Sequence, residues 1–134
     1  MVQVLVIPGW HPTPLNKLIG CGIGKRARLK RGDADLVAIY AHEQGVDRAT
    51  GPRRVAFTIT LRPRERACDP DAYTKSLLDA LKTAQLIVDD RRQMVTTDQP
   101  EFDRGPRRAT TIVLTDLDPP AKPARTTRRK GSDQ

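Results

Sequence analysis

Hydrophobic and polar residues alternate most cleanly between Arg54 and Arg62, where Val55, Phe57, Ile59 and Leu61 take every second position. Ala56, Thr58 and Thr60 fall between them, and a side-chain period of two predicts a strand with one apolar face. Residues 2–7 (VQVLVI) are mostly β-branched and apolar, which predicts a short buried strand ended by Pro8 and Gly9. Residues 107–117 (RRATTIVLTDL) predict another long strand.

The period changes after Asp69. Leu77, Leu78, Leu81 and Ala84 form a helical stripe, Asp69 is a good N-cap and Pro70 suits the first helical position, so a helix is predicted from 70 to about 85. A weaker pattern, with Leu36, Val37, Tyr40 and Ala41 on one face and Asp33 or Asp35 near its start, predicts a helix from about 34 to 44. The Pro- and Gly-rich stretch from 8 to about 24 reads as an ordered loop, and 45–53 as a turn. A second apolar burst, Leu86 to Val88, ends at Asp89. Together these elements predict an α+β fold, a single domain over 1–118 with a mixed β-sheet and two helices packed on it. Beyond Asp118 the composition shifts to Pro, Thr, Arg and Lys without apolar periodicity, which predicts a disordered basic tail over 119–134.

At 134 residues the chain is long enough for one domain with its own core and short for two. Its few aromatics are Trp10, Tyr40, Phe57, Tyr73 and Phe102, so aliphatic side chains must supply most of the core, and a dimer interface would add burial. Lys and Arg total 24 against 16 Asp and Glu, a net charge of +8, and arginine dominates the excess. Its planar fork suits bidentate contact with phosphate, so nucleic acid is the first partner expected. The plain alternative is a soluble basic protein whose charges face water. Cys21 and Cys68 have no Cys or His neighbour at ligand spacing, which argues against a zinc site and for two free thiols in a reducing, cytoplasmic setting. No signal peptide or membrane span is expected, because Pro8 and Gly9 interrupt the first apolar run.

Candidate chemistry concentrates between Cys68 and Asp90. Asp69 and Asp71 flank the start of the predicted helix, Lys75 follows one turn on, and Asp89 and Asp90 come after the helix ends. Carboxylates crowded together call for a cation, and hard oxygen donors point to Mg²⁺ or Mn²⁺. The plain alternative is an i,i+4 ion-pair ladder through Asp71, Lys75 and Asp79, with Asp89 and Asp90 in a solvated turn. Against it, Asp69 already caps the helix, and a turn is served by one carboxylate.

The segment CDPDAYTKSLLDALKTAQLIVDD resembles the signature of the RusA family of Holliday junction resolvases, which runs D-x-D-N-x-x-K, then L-D-A-L, then a short apolar run into D-D. Asp69, Asp71, Lys75, the run Leu78, Asp79, Ala80 and Leu81, and the pair Asp89 and Asp90 fall in register with it. The specific match covers this segment only. Ala72 stands where the family has Asn, and Gln85 where it usually has Gly before the final apolar run. The resemblance implies a homodimeric endodeoxyribonuclease, nucleoid-associated or phage-encoded, that resolves four-way (Holliday) DNA junctions by paired nicks in recombination and repair, using Mg²⁺ or Mn²⁺ and no small-molecule cofactor. It implies Asp69, Asp71 and Asp90 as catalytic metal ligands and Lys75 as the catalytic lysine. Asp79 would then be a structural partner of Lys75, and Asp89 would orient a neighbour or a metal-bound water.

Lys17, Lys25, Arg26, Arg28, Lys30 and Arg31 flank or follow a Gly-rich loop and are expected to track DNA phosphates. The run GCGIGK at 20–25 is one residue short of a Walker phosphate loop, and Arg26 replaces the Ser or Thr that would hold magnesium. His11 and His42 read as incidental. The rival reading is a non-catalytic basic protein that binds branched or duplex DNA, although carboxylates beside phosphates weaken such binding unless a metal sits between.

Overall fold

The computed structural model describes residues 1–14, 17, 19, 20 and 22–118. Among them lie β1 (Val2–Pro8), α1 (Ile23–Glu43), β2 (Arg53–Leu61), α2 (Pro70–Thr83), β3 (Val95–Thr97), β4 (Glu101–Arg104) and β5 (Ala109–Asp116). They form a small α+β domain whose open, mixed sheet has the order β1-β5-β2-β3, with β4 also paired to β2. β5 runs antiparallel to both β1 and β2. β3 and β4 run parallel to β2, β3 along Arg53 to Val55 and β4 along Thr58 to Leu61. The 107–118 end of the predicted domain therefore completes the sheet centre; the predicted tail over 119–134 lies outside the described residues.

The alternation in β2 sets the core. Val55, Phe57, Ile59 and Leu61 are all buried, as are Leu5 and Ile7 of β1 and Ile112 and Leu114 of β5. Val37 and Ala41 of α1 and Tyr73, Leu77, Ala80 and Leu81 of α2 pack against them, so both helices cover the same sheet face. On the other face Val2, Val4 and Val6 stay exposed. The free edge of β1 is partly closed by the Gln44 side-chain amide, which accepts from the Val6 N–H at 2.9 Å and donates to its carbonyl at 2.7 Å, as a neighbouring strand would.

Three expectations need correction. α1 begins at Ile23 rather than near 34, because the run from Lys25 to Arg31 is rich in good helix formers even though it shows no apolar face. Asp33 consequently lies inside the helix rather than at its start. It accepts from Trp10 Nε1 and from the Thr13 N–H, both at 3.0 Å, and so fastens the Pro-rich loop to α1. The pattern also missed β3 and β4, which have three and four residues. No helix among the described residues is long and apolar enough to cross a membrane.

Candidate active site

β2 ends at Leu61, and the chain returns through residues 62–68 into α2. Asp69 caps α2: its Oδ1 accepts from the Asp71 N–H at 3.1 Å, and Pro70 fills the first position. Tyr73 anchors the approach from beneath, its hydroxyl oxygen accepting from the Cys68 N–H at 3.2 Å. Asp69, Asp71 and Lys75 are exposed, with Asp71 and Lys75 one turn apart on one face of the helix. Neither side chain has an ion pair or hydrogen bond among the described residues. The surface ladder is therefore not formed, and Asp79, expected beside Lys75, pairs with Lys30 of α1 at 3.5 Å.

Asp71 lines a depression of about 120 Å³ together with Thr74, Thr97, Asp98, Gln99 and Pro100. Asp98, which the sequence did not single out, thus faces the helix start from the β3–β4 connection. Its Oδ1 is held by Arg54 at 2.8 Å. Ala72, at the family's Asn position, is nearly buried, so a side chain there turns inward rather than toward Asp71.

Asp89 and Asp90 lie beyond the other end of α2. Asp89 Oδ1 accepts from the Asp90 N–H at 2.7 Å and its Oδ2 meets Arg91 Nε at 2.8 Å. Lys82, in the last turn of the helix, approaches Asp89 at 3.6 Å and Asp90 at 3.9 Å. Hydrogen bonding with Asp90, first through its side chain and then its N–H, together with the Lys82 and Arg91 charges, holds the Asp89 carboxyl below its ordinary range. Eleven residues of helix, roughly 16 Å, separate Lys82 from Asp71. The structure therefore brings Asp69, Asp71 and Lys75 together and leaves Asp90 with Lys82.

Among the described residues no three Asp, Glu, His or Cys side chains gather closely enough to hold a metal ion. The donor chemistry at the helix start nevertheless fits a hard divalent cation, since Mg²⁺ commonly takes one or two carboxylates and keeps several waters. Asp71 is uncommitted, and Asp69 has one oxygen beyond its capping bond. Asp69 and Asp71 are the residues that fit; Asp90, paired with Lys82, does not join them.

His11, read as incidental, is part of a packed network beside this end. Its Nε2 meets Glu65 Oε2 at 3.0 Å, its Nδ1 meets the Pro12 carbonyl at 3.0 Å, and its ring stands edge-on to Tyr73. Arg108 grips the same carboxylate, with Nε at 3.1 Å from Oε1 and Nη2 at 2.8 Å from Oε2. Burial alone would raise the Glu65 pKa. Hydrogen bonds from Arg108, His11 and the Arg62 N–H, with the Arg108 charge, outweigh it and bring the carboxyl down to about 2.

The expected phosphate-tracking residues Lys25, Arg26, Arg28, Lys30 and Arg31 lie on α1 rather than in a loop. Lys17 precedes α1 and is exposed. Lys30 and Asp33 pack beside Ser76 and Asp79, whereas Ala41 and Val46 pack beside Ala84 and Leu86. The two helices therefore run in the same direction, and the basic first turns of α1 extend toward the end where α2 begins. No protein-family model matches the chain, and no curated protein matches its sequence.

Proposed function

We propose that the protein is a metal-dependent endodeoxyribonuclease that resolves four-way DNA junctions, of the kind its Cys68–Asp90 segment resembles, and that it works as a homodimer. The observation that carries this reading is the state of Asp71 and Lys75: opposite charges one turn apart that form no ion pair, beside the capping carboxylate of Asp69. A surface that served only solubility would gain by pairing them. Asp69 and Asp71 would hold Mg²⁺ or Mn²⁺, and the bound ion supplies the positive charge that polarises a phosphate and acidifies a water. Lys75, one turn along the same face, offers its ammonium to a phosphoryl oxygen as negative charge builds there. Asp90 enters the proposal by its register with the family pattern rather than by proximity. Two strands must be cut in a junction and one chain offers one such helix start, so two copies related by a two-fold axis supply one for each strand.

The placement of Asp90 with Lys82 favours the second reading, a protein that holds branched DNA without cutting it. Incubation with a labelled four-way junction, with and without Mg²⁺, separates the two. The nuclease reading expects metal-dependent paired nicks, and expects Asp71→Asn to lower cleavage on the order of 100-fold or more while junction binding persists. Wild-type protein that binds junctions tightly and leaves them intact in Mg²⁺ and Mn²⁺ would establish the binding reading instead.

A further inference from the structure

Arginines gather where the chain leaves β2 and where it enters β5. Arg62, Arg64 and Arg66 lie on the connection into α2, Arg104 ends β4, and Arg107 and Arg108 lie between β4 and β5; Glu65 is the one carboxylate within residues 62–68 and 104–108. Backbone contacts bring the segments together. The Gly105 N–H donates to the Leu61 carbonyl at 2.9 Å, an approach that leaves little room for a side chain at Gly105, whose Cβ would lie 3.1 Å from Thr60 Cγ2. Arg104 Nη1 donates to the carbonyls of Arg62 and Glu65.

The six arginines divide by task. Arg104 and Arg108 are engaged in contacts within the chain, fixing the 62–68 connection through its carbonyls and through Glu65, which His11 also grips. Arg62 makes a loose contact with Glu65 at 3.7 Å and is largely exposed. Arg64, Arg66 and Arg107 are exposed and have no ion pair or side-chain hydrogen bond among the described residues. Arg64 sits on a turn closed by the Glu65 N–H donating to the Arg62 carbonyl at 3.0 Å. The internal clamp neutralises the local carboxylate and leaves these three guanidinium groups on a braced surface, three residues of chain from Asp69 at the closest. Exposed, unpaired arginines held on a fixed frame match an anionic backbone better than a mobile loop would, because less freedom is lost on binding.

We infer that Arg64, Arg66 and Arg107 form a clamp for the DNA phosphate backbone, holding a strand against the start of α2. This rests on the nuclease reading for the identity of the polyanion, and it names a surface separate from the α1 cations. Each arginine that neutralises a phosphate releases counterions, so its loss lowers the salt dependence of binding by about 0.9 in the log–log slope.

The test is fluorescence-anisotropy binding to a labelled four-way DNA junction in EDTA across a KCl series. It compares wild type with the triple variant Arg64→Gln, Arg66→Gln, Arg107→Gln and with a control, Arg48→Gln, Arg92→Gln, at the opposite end of α2. The triple variant should lose about 2 to 3 from the slope, the control should bind like wild type, and the triple Arg→Lys variant should recover most of the slope. Melting temperatures near wild type for all variants show that the fold is intact. An unchanged slope in the triple Gln variant overturns the clamp while leaving the nuclease reading standing. Wild type that fails to bind the junction even at low salt overturns both, and a control that loses as much slope as the triple variant overturns the clamp alone.

Discussion

The Gln85 backbone sits at φ 65, the one positive φ outside glycine among the described residues. The Leu86 N–H donates to the Leu81 carbonyl and the Gln85 N–H to the Lys82 carbonyl, the paired bonds that close a helix through a left-handed residue. α1 ends with the same pattern, with Gly45 at φ 69 in the equivalent place. At Gln85 the chain therefore accepts a Cβ in a conformation that glycine occupies at no steric cost. Gln85→Gly should raise stability by about 0.5–1 kcal/mol, less than the full strain because glycine loses more freedom on folding. A lower denaturant midpoint would show that Gln85 makes up for its backbone elsewhere. Glu65 gives a second residue-scale prediction. Its carboxyl is ionised in the fold down to about pH 2, against about 4.5 unfolded, so its contribution is complete above the unfolded value and is lost as pH falls toward 2. Melting temperature should thus fall between about pH 5 and pH 2, and Glu65→Gln, destabilised at neutral pH by about 3 kcal/mol, should show a flatter fall in that window. Equal acid sensitivity in both proteins would remove Glu65 from the cause.

At the scale of elements, β2 and α2 are legible in the sequence because each carries its full period, cap and apolar face within its own residues. Asp69 and Asp71 are legible for the same reason: they belong to a local cap-and-turn pattern. What escapes is whatever depends on distant partners. β3 and β4 are too short to show a period and exist through pairing with β2. The His11, Glu65 and Arg108 network joins residues 54 and 43 positions apart, and Asp98 reaches Asp71's depression only through the fold. α1 shows a third case, in which the helix carries Gly32 in its middle and a basic, unpatterned first half. Its early turns are held by intrinsic propensity and by the contact of Lys30 with Asp79 more than by burial. A Cβ at Gly32 would meet nothing within 4 Å, and its φ is not positive, so Gly32→Ala should stabilise by about 0.5–1 kcal/mol. Hydrogen-exchange protection should rise first in residues 25–33. Protection that rises uniformly, or a loss of stability, would mean that Gly32 serves a contact the fold requires.

Across the whole molecule, the two ends of α2 are held by different devices. The end bearing Asp69 and Asp71 is braced by Glu65 with Arg108 and His11. The other is braced by Arg53, an almost fully buried cation at the start of β2. Arg53 Nε donates to Asp116 Oδ1 at 2.8 Å, Nη1 to the carbonyls of Asp47 and Leu86 at 2.9 and 3.0 Å, and Nη2 to Gln3 Oε1 at 3.3 Å. One planar fork thereby ties β1, β2 and β5 to the turns that follow both helices. The bond to the Leu86 carbonyl also fixes the start of the segment that leads directly into Asp89 and Asp90. Arg53→Met would fill the volume and leave two carbonyls and the Asp116 carboxylate without this donor, while Gln3 Oε1 keeps the Asp47 N–H, a loss of about 3 kcal/mol. Arg53→Lys keeps the charge without the fork and should lose less. If Asp90 acts in cleavage as the register proposes, Arg53→Met should also lower junction cleavage more than junction binding, because the basic end of the molecule is untouched. Thermal melting with cleavage and binding assays on the same samples checks both parts. Melting within about 1 °C of wild type would show that the fork is dispensable, whereas a destabilised variant that cuts at the wild-type rate would separate Asp90 from the reaction.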